Sequence, residues 1–282
     1  MRSLRILCPA KVNLHLSVLG RRSDGYHEIL TLMQAVDLSD ELLLEVKGEG
    51  IRVQCDHPEL PAGEDNLAWK AARLYQEETG DRFGLEIRLV KRIPVAAGLG
   101  GGSSDAAGVL RGLNELRGNP IPRDRLALWA SRLGADVPFF LQGRPALATG
   151  IGETLEPVGI TPPLWYVLVF PGWPVSTRWV YENLDLGLTT SPKKTNIPHF
   201  IERVEEIAEL LHNDLESVTA RVHPWVSRAK ARLREMGALG ALMSGSGPTV
   251  FGVFRDEVAA RETHAGFGPQ AEESVWWARG VT

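Results

Sequence analysis

The residues best suited to chemistry lie in one run, Pro94-Val95-Ala96-Ala97-Gly98-Leu99-Gly100-Gly101-Gly102-Ser103-Ser104-Asp105-Ala106-Ala107. Its glycines let a backbone approach an anion closely, and Ser103 and Ser104 add hydroxyls. The Ala-rich stretch that follows predicts a helix whose first turn offers unpaired N–H groups and the positive end of its dipole. The chemistry implied is the holding of a phosphate, with a flexible surface loop as the plain alternative. No Gly-Lys-Ser/Thr follows, which excludes a Walker A loop. Gly98-Leu99-Gly100 could open a dinucleotide fingerprint, but Ser103 stands at the third glycine position and the strands upstream do not form a first βαβ unit.

The elements that must position this loop are legible around it. Apolar alternation predicts strands over 4–8 and 12–19, a turn at 21–25 and a further run over 30–38. Residues 42–46 and 51–53 flank Gly48-Glu49-Gly50 and read as a hairpin. Asp65-Asn66 heads an amphipathic helix that Gly80 ends. The alternating Leu85-Glu86-Ile87-Arg88-Leu89-Val90 predicts the half-buried strand leading into the loop. Helices are expected over 105–116, 124–133, 197–211 and 224–236, and strands over 165–170, 240–243 and 249–254. A shift to Gly, Pro and Thr near 150–163 marks a boundary between a domain of residues 1–155 and one of residues 156–282. The mixture is α+β without regular βαβ repetition.

Bulk properties narrow the classes. A chain of 282 residues with 44% hydrophobic and 23% charged residues suits a soluble protein of two domains. The formal charge of -4 supplies no field for nucleic acid or anionic membrane. The longest apolar stretch, near 164–170, is far short of the ~20 residues of a membrane span. The start, Met1-Arg2-Ser3-Leu4-Arg5, lacks the apolar core of a signal peptide, so a cytoplasmic location is expected. Cys8 and Cys55 form neither a disulfide framework nor a zinc motif, and the seven histidines show no HExxH pair.

Three segments in order carry a resemblance to the GHMP kinase superfamily. Pro9-Ala10-Lys11-Val12-Asn13-Leu14 resembles its first signature, the run from Pro94 to Ala107 its second, and Met243-Ser244-Gly245-Ser246-Gly247-Pro248-Thr249-Val250-Phe251 its third. Within the superfamily, Asp24-Gly25-Tyr26-His27-Glu28 and Gly134-Ala135-Asp136-Val137-Pro138-Phe139-Phe140 are similar to the diphosphocytidyl-methylerythritol kinases. The resemblance implies a two-lobed fold, with an N-terminal ribosomal-protein-S5-domain-2-like lobe, a C-terminal ferredoxin-like lobe and the active site in the cleft between them. It also implies transfer of the ATP γ-phosphoryl to the 2-hydroxyl of a cytidine-diphosphate-linked methylerythritol in the non-mevalonate isoprenoid route. ATP with Mg²⁺ and a small-molecule acceptor follow, with no nucleic-acid or membrane partner and a monomer or homodimer as the assembly. No metal ligand is identified.

The resemblance assigns roles residue by residue. Asp136 takes the substrate proton or orients the hydroxyl, and Lys11 stabilises charge, as a loose phosphoryl-transfer transition state requires. Taken alone, Lys11 reads equally as a solvated strand charge and Asp136 as a cap of the next turn. Pro94, Gly98, Leu99, Gly100, Gly101, Gly102, Ser103 and Ser104 wrap the ATP phosphates. Asn66 faces the adenosine end or simply caps its helix. Asp105, at the expected helix start, is assigned to capping. Tyr26 and His27 suit the stacking and edge reading of a cytosine base. Tyr181, or Trp179 in its place, supplies a second aromatic, unless it only packs on a buried helix face. Asn13 holds the acceptor, and Gly245 and Ser246 shape its pocket, where a bare hairpin turn is the alternative. Other superfamily kinases, a non-catalytic nucleotide-binding protein and an NAD-dependent oxidoreductase are the competing functions.

Overall fold

A computed structural model of the chain describes residues 2–185, 196–270 and 272–281. In chain order the described elements are β1 (Arg2–Arg21), β2 (His27–Val46), β3 (Ile51–Cys55), α1 (Leu67–Thr79), β4 (Leu85–Val90), α2 (Gly101–Leu116), α3 (Arg123–Leu133) and α4 (Val137–Gln142). Next come β5 (Ala146–Thr149), β6 (Thr154–Pro157), β7 (Gly159–Ile160), β8 (Trp165–Phe170), α5 (Thr177–Glu182), β9 (Phe200–Ile201), α6 (Val204–Leu210) and β10 (His212–Asn213). The series ends with α7 (Glu216–Val222), α8 (Trp225–Glu235), β11 (Gly240–Met243), β12 (Val250–Phe254), α9 (Glu257–Gly266) and β13 (Ser274–Val281). This is the α+β class expected.

Two compact units share these elements. One takes the chain through Ala10, Leu38–Ile93 and Gly100–Gly143; the other takes Lys11–Asp37, Pro94–Leu99 and the chain from Arg144 on. The units interleave because β1 and β2, each 20 residues long, run through both, whereas the sequence suggested a single cut after residue 155.

In the first unit, β4 pairs antiparallel with the second half of β2, Glu41 opposite Val90, and β3 pairs parallel with β4, Ile51 opposite Leu85. The expected hairpin between 42–46 and 51–53 is therefore incorrect, since β4 lies between those two segments. Leu85, Ile87 and Leu89 of β4 are nearly fully buried, and that burial favours the central position over a two-residue turn contact. The segment expected to make the hairpin instead meets the entry of β4: Leu85 N–H donates to Gly50 O at 2.8 Å, and Lys47 N–H to Gly84 O at 3.0 Å. Helix α2 lies close on β1, because a Cβ at Gly112 would stand 2.2 Å from Ile6 Cδ1 and one at Gly108 2.5 Å from Cys8 Sγ.

In the second unit a sheet runs β10-β1-β2-β13-β8-β12-β11, with β5 on β2 and β6 on β5. Strand β8 is central, its Tyr166 to Val169 fully buried, and the β11–β12 hairpin pairs Met243 with Val250. Helices α8 and α9 supply Val226, Leu233 and Ala260 to the core over this sheet.

Two further expectations change. The strands over 30–38 and 42–46 are one strand, because the polar Asp37-Leu38-Ser39-Asp40 run conceals a fully buried Asp40 whose carboxylate accepts the Arg92 and Ile93 N–H groups at 2.6 and 2.9 Å. The helix over 197–211 begins only at Val204, since Phe200–Ile201 forms β9 and pairs in parallel with β7, burying Ile201.

Candidate active site

The glycine-rich run divides at Leu99/Gly100 between the two units. In the first unit Gly100 is the N-cap of α2 at φ 71°, a left-handed conformation that suits glycine, and no side chain caps the helix. Ser104 N–H returns to Gly100 O at 2.9 Å, so the helical ladder starts there. The N–H groups of Gly101, Gly102 and Ser103 precede it with no capping side chain, which makes the turn a donor site for an anion. Gly102 is exposed, and a Cβ built on it meets no described atom within 4 Å. The helix thus starts four residues before the expected 105, and the glycines are its first turn.

Asp105 is consequently the fifth residue of α2 and does not cap it; the capping assignment is corrected. Its side chain is buried and Oδ2 accepts Lys91 Nζ at 2.7 Å, while Lys91 also pairs with Asp40. Burial pushes the Asp105 carboxyl up to about 7, opposed by the Lys91 ammonium and reinforced by the Asp40 carboxylate. Neither Lys91 nor Asp40 was singled out from the sequence, where Lys91 reads as an ordinary charge at a strand end. Ser104 is buried too, its hydroxyl without a hydrogen-bond partner among the described residues.

Asp136 is half-buried at the N-cap of α4, but its carboxylate makes no capping hydrogen bond, so the plain capping role is not the one observed. The loop leading to it lies beside the first turn of α2, since a Cβ at Gly134 would stand 3.9 Å from Ser103 Oγ. Asn66 does cap: its Oδ1 accepts Ala68 N–H at 2.9 Å, and its Nδ2 donates to Pro61 O at 2.8 Å. Both polar ends of that side chain are thereby used within the fold.

In the second unit Lys11, 4% exposed, donates from Nζ to Asn13 Oδ1, and Leu99 O accepts the Lys11 N–H at 2.9 Å. Lys11 is therefore no solvated strand charge. Asn13 Nδ2 donates to Thr31 Oγ1 at 2.8 Å, and Thr31 Oγ1 in turn donates to His15 O at 2.6 Å. This chain of bonds fixes the Asn13 amide with its oxygen towards Lys11. Pro94, half-buried, opens the segment that carries Gly98 and Leu99 to the β11–β12 turn. There Ser244 Oγ donates to Gly98 O at 2.9 Å and accepts Asn13 N–H at 3.3 Å. Contact is close enough that a Cβ at Gly98, φ +77°, would stand 2.1 Å from Ser244 O, and one at Gly245 3.4 Å from Lys11 Nζ. Gly245 and Ser246 thus belong to a built junction with Lys11 and Asn13, beyond a bare hairpin. Ser246 Oγ meets Thr177 Oγ1 at 2.8 Å, and Asn213 Nδ2 donates to Gly245 O at 2.7 Å. Ser244, Thr31 and Asn213 escaped sequence reasoning, although Ser244 stood inside a quoted motif.

Two aromatics of this unit come together. His27 and Tyr181 stack with ring centroids 5.1 Å apart and planes at 25°. Burial holds the His27 imidazole below its ordinary value, with Arg21 adding to the effect, so the ring is neutral near pH 7. Tyr181 sits half-buried on α5 beside the fully buried Val180, and packs against the cluster of Leu16, Val18 and Val175 while stacking on His27. Trp179, its alternative, packs against the same cluster. Tyr26 is 61% exposed, its N–H donating to Asp24 Oδ1 at 3.1 Å, and Asp24 is held by Arg22 at 3.0 Å.

No group of three or more His, Cys, Asp or Glu among the described residues is arranged to hold a metal ion, and no described helix is long and apolar enough to cross a membrane.

Comparison with known proteins bears on this geometry. The family described as GHMP kinases N terminal domain matches residues 66–144, and that described as GHMP kinases C terminal matches residues 196–268. A 4-diphosphocytidyl-2-C-methyl-D-erythritol kinase of Syntrophotalea carbinolica is 54% identical over 90% of this chain and 91% of its own. One of Citrifermentans bemidjiense is 49% identical over 100% of this chain and 99% of its own. A crystal structure of 4-(cytidine 5'-diphospho)-2C-methyl-D-erythritol kinase superposes with TM-score 0.83 at 40% identity, covering 99% of this chain and 100% of that one. The homoserine kinase of Cytophaga hutchinsonii matches in fold, with TM-score 0.77 at 21% identity over 100% of this chain and 96% of that one.

Proposed function

The chain belongs to the GHMP kinases, within the 4-diphosphocytidyl-2-C-methyl-D-erythritol kinase family, and from that premise we propose that it phosphorylates the 2-hydroxyl of 4-diphosphocytidyl-2-C-methyl-D-erythritol with ATP. The product would enter the non-mevalonate route to isoprenoid precursors. The observation that carries the reading is the uncapped first turn of α2, Gly101 to Ser104, a ready donor site for a polyphosphate.

The roles follow from the chemistry. In a loose phosphoryl-transfer transition state, positioning and neutralisation dominate. Gly100 to Ser104 of the first unit, and Pro94, Gly98 and Leu99 of the second, are assigned to the phosphates, and Asn66 to the helix that supports the adenosine side. Asp136 orients the attacking hydroxyl or takes its proton, and the placing of its loop beside the first turn of α2 supports that assignment. Lys11 supplies a cation oriented by Asn13, and Asn13, Gly245 and Ser246 belong to the acceptor side. Tyr26, His27 and Tyr181 are assigned to the cytosine, where a neutral imidazole beside a tyrosine offers a stacking face and an edge for hydrogen bonding. Of the two expected segments, 1–155 would carry ATP together with Asn13, Tyr26 and His27 of the acceptor side, and 156–282 the remaining acceptor-side residues, Tyr181, Gly245 and Ser246. Among the described residues no cluster of carboxylates or imidazoles is arranged to hold magnesium, and the ion would enter with the nucleotide, bound through its phosphates. A cytoplasmic site of action is part of the proposal.

ADP release from Mg-ATP tests it, with the cytidyl acceptor, methylerythritol 4-phosphate, galactose and homoserine offered in parallel. Turnover with the cytidyl compound alone is expected. Turnover with another acceptor would overturn the substrate assignment, and no turnover with any would overturn the kinase reading.

A further inference from the structure

We propose that Lys91, Asp105 and Asp40 form a buried clamp that positions the first turn of α2, with Asp105 acting as a positioning residue for ATP binding. The inference rests on the ATP reading of the glycine-rich turn and extends it to side chains that do not themselves touch the nucleotide.

Lys91 follows the last residue of β4, and its side chain is 4% exposed. It turns under α2, where a Cβ at Gly101 would stand 3.3 Å from its Nζ. From there it donates to Asp105 Oδ2 at 2.7 Å, one turn into the helix, and to Asp40 of β2. Asp40 is anchored independently by the Arg92 and Ile93 N–H groups. The ammonium is thus fixed by the strands and, among the described residues, bonds to the helix through Asp105. A short glycine-rich turn has little side-chain packing of its own, so a charge-assisted bond at its base sets the direction of its N–H groups.

The clamp also departs from what stability alone would select. Two carboxylates share one ammonium in a buried space, and Asp105 Oδ1 has no hydrogen-bond partner among the described residues. A buried acceptor left unsatisfied is costly, and an asparagine would relieve the excess charge at the same volume. A carboxylate at this position is explained by what its charge does to the turn. The charged and titratable groups that interact with it are Lys91, Asp40 of β2, Cys8 of β1 and Cys55 of β3. Both thiols are pushed up by burial, so they stay protonated while Asp105 titrates.

The test is Asp105→Asn, which keeps the shape and leaves the Lys91–Asp40 pair neutral. At pH 8 the ATP dissociation constant by calorimetry and the ATP KM are expected to rise ~10-fold or more in Asp105→Asn, the size of one charge-assisted hydrogen bond. The acceptor KM and the kcat at saturating ATP should hold, and the melting temperature should be no lower than wild type. The ratio of variant to wild-type ATP affinity should return towards unity at pH 5.5, where the wild-type carboxyl is itself protonated; taking the ratio cancels the titration of ATP. A ratio that stays constant across pH, or ATP binding as tight in Asp105→Asn as in wild type at pH 8, overturns the clamp alone. Failure of the wild-type protein to bind ATP would overturn the underlying reading with it.

Discussion

Adding one methyl group to the glycine-rich run should have opposite effects at two positions four residues apart. At Gly102 a Cβ meets no described atom within 4 Å, and the residue is the second of α2, so Gly102→Ala should gain about 0.5–1 kcal/mol of stability, as glycine-to-alanine changes in helices do. At Gly98 the same Cβ would stand 2.1 Å from Ser244 O and 3.0 Å from Gly247 N, on a backbone with φ +77°. The left-handed conformation costs an alanine about 1–2 kcal/mol, and displacing the Ser244 to Gly98 hydrogen bond costs about 1 more, so Gly98→Ala should lose roughly 2–3 kcal/mol. Urea unfolding without nucleotide reads both. Calorimetry with ATP then separates stability from function. If phosphate oxygens rest against the backbone at 101–103, the Gly102 methyl displaces at least one bond to a charged group, worth about 1.5–3 kcal/mol, and weakens ATP roughly 10- to 100-fold. A more stable Gly102→Ala protein that binds ATP as tightly as wild type would refute the phosphate assignment of this turn. A Gly98→Ala protein of unchanged stability would refute the close junction with Ser244.

Asp136→Asn is expected to lower turnover about 10²- to 10⁴-fold while ATP still binds, because the change keeps the shape and removes the proton acceptor; near-normal steady-state turnover would remove Asp136 from the mechanism. Tyr26→Ala should weaken the cytidyl acceptor by about 1–3 kcal/mol in a binding titration, the worth of one stacked base, with thermal stability unchanged because the ring is exposed. An unaltered acceptor affinity would exclude Tyr26 from the pocket. Burial lowers the pKa of His27 from 6.5, so its protonation opposes the folded arrangement. Acceptor affinity should therefore be flat from pH 8 down through 6.5 and fall only at lower pH, and His27→Gln should remove that fall. A decline centred above 6.5 would contradict a neutral, half-buried His27.

The parts of this protein legible in its residues are those governed by short-range geometry. The Asn66 cap of α1 and the glycine-rich turn at Gly98–Ser104, proposed to hold an anion, depend on residues within one turn of each other, and the alternating pattern of β4 depends on its own two faces. The same locality made Lys11 and Asp136 recognisable as candidates through their flanking segments. Tertiary structure decided the rest, because backbone hydrogen bonding across strands and burial of charge depend on partners far away in the chain. The glycines at 48 and 50 permit a hairpin, yet the greater apolar burial of β4 puts it between β2 and β3. Asp105 has the type and place of a capping residue, but a lysine 14 positions earlier draws its carboxylate under the helix. His27 and Tyr181 are far apart in sequence and become a stacked pair only when α5 is laid against the start of β2. Local sequence specified which groups could bind an anion or stack a base; long-range pairing and desolvation determined which of them are held, neutralised and brought together.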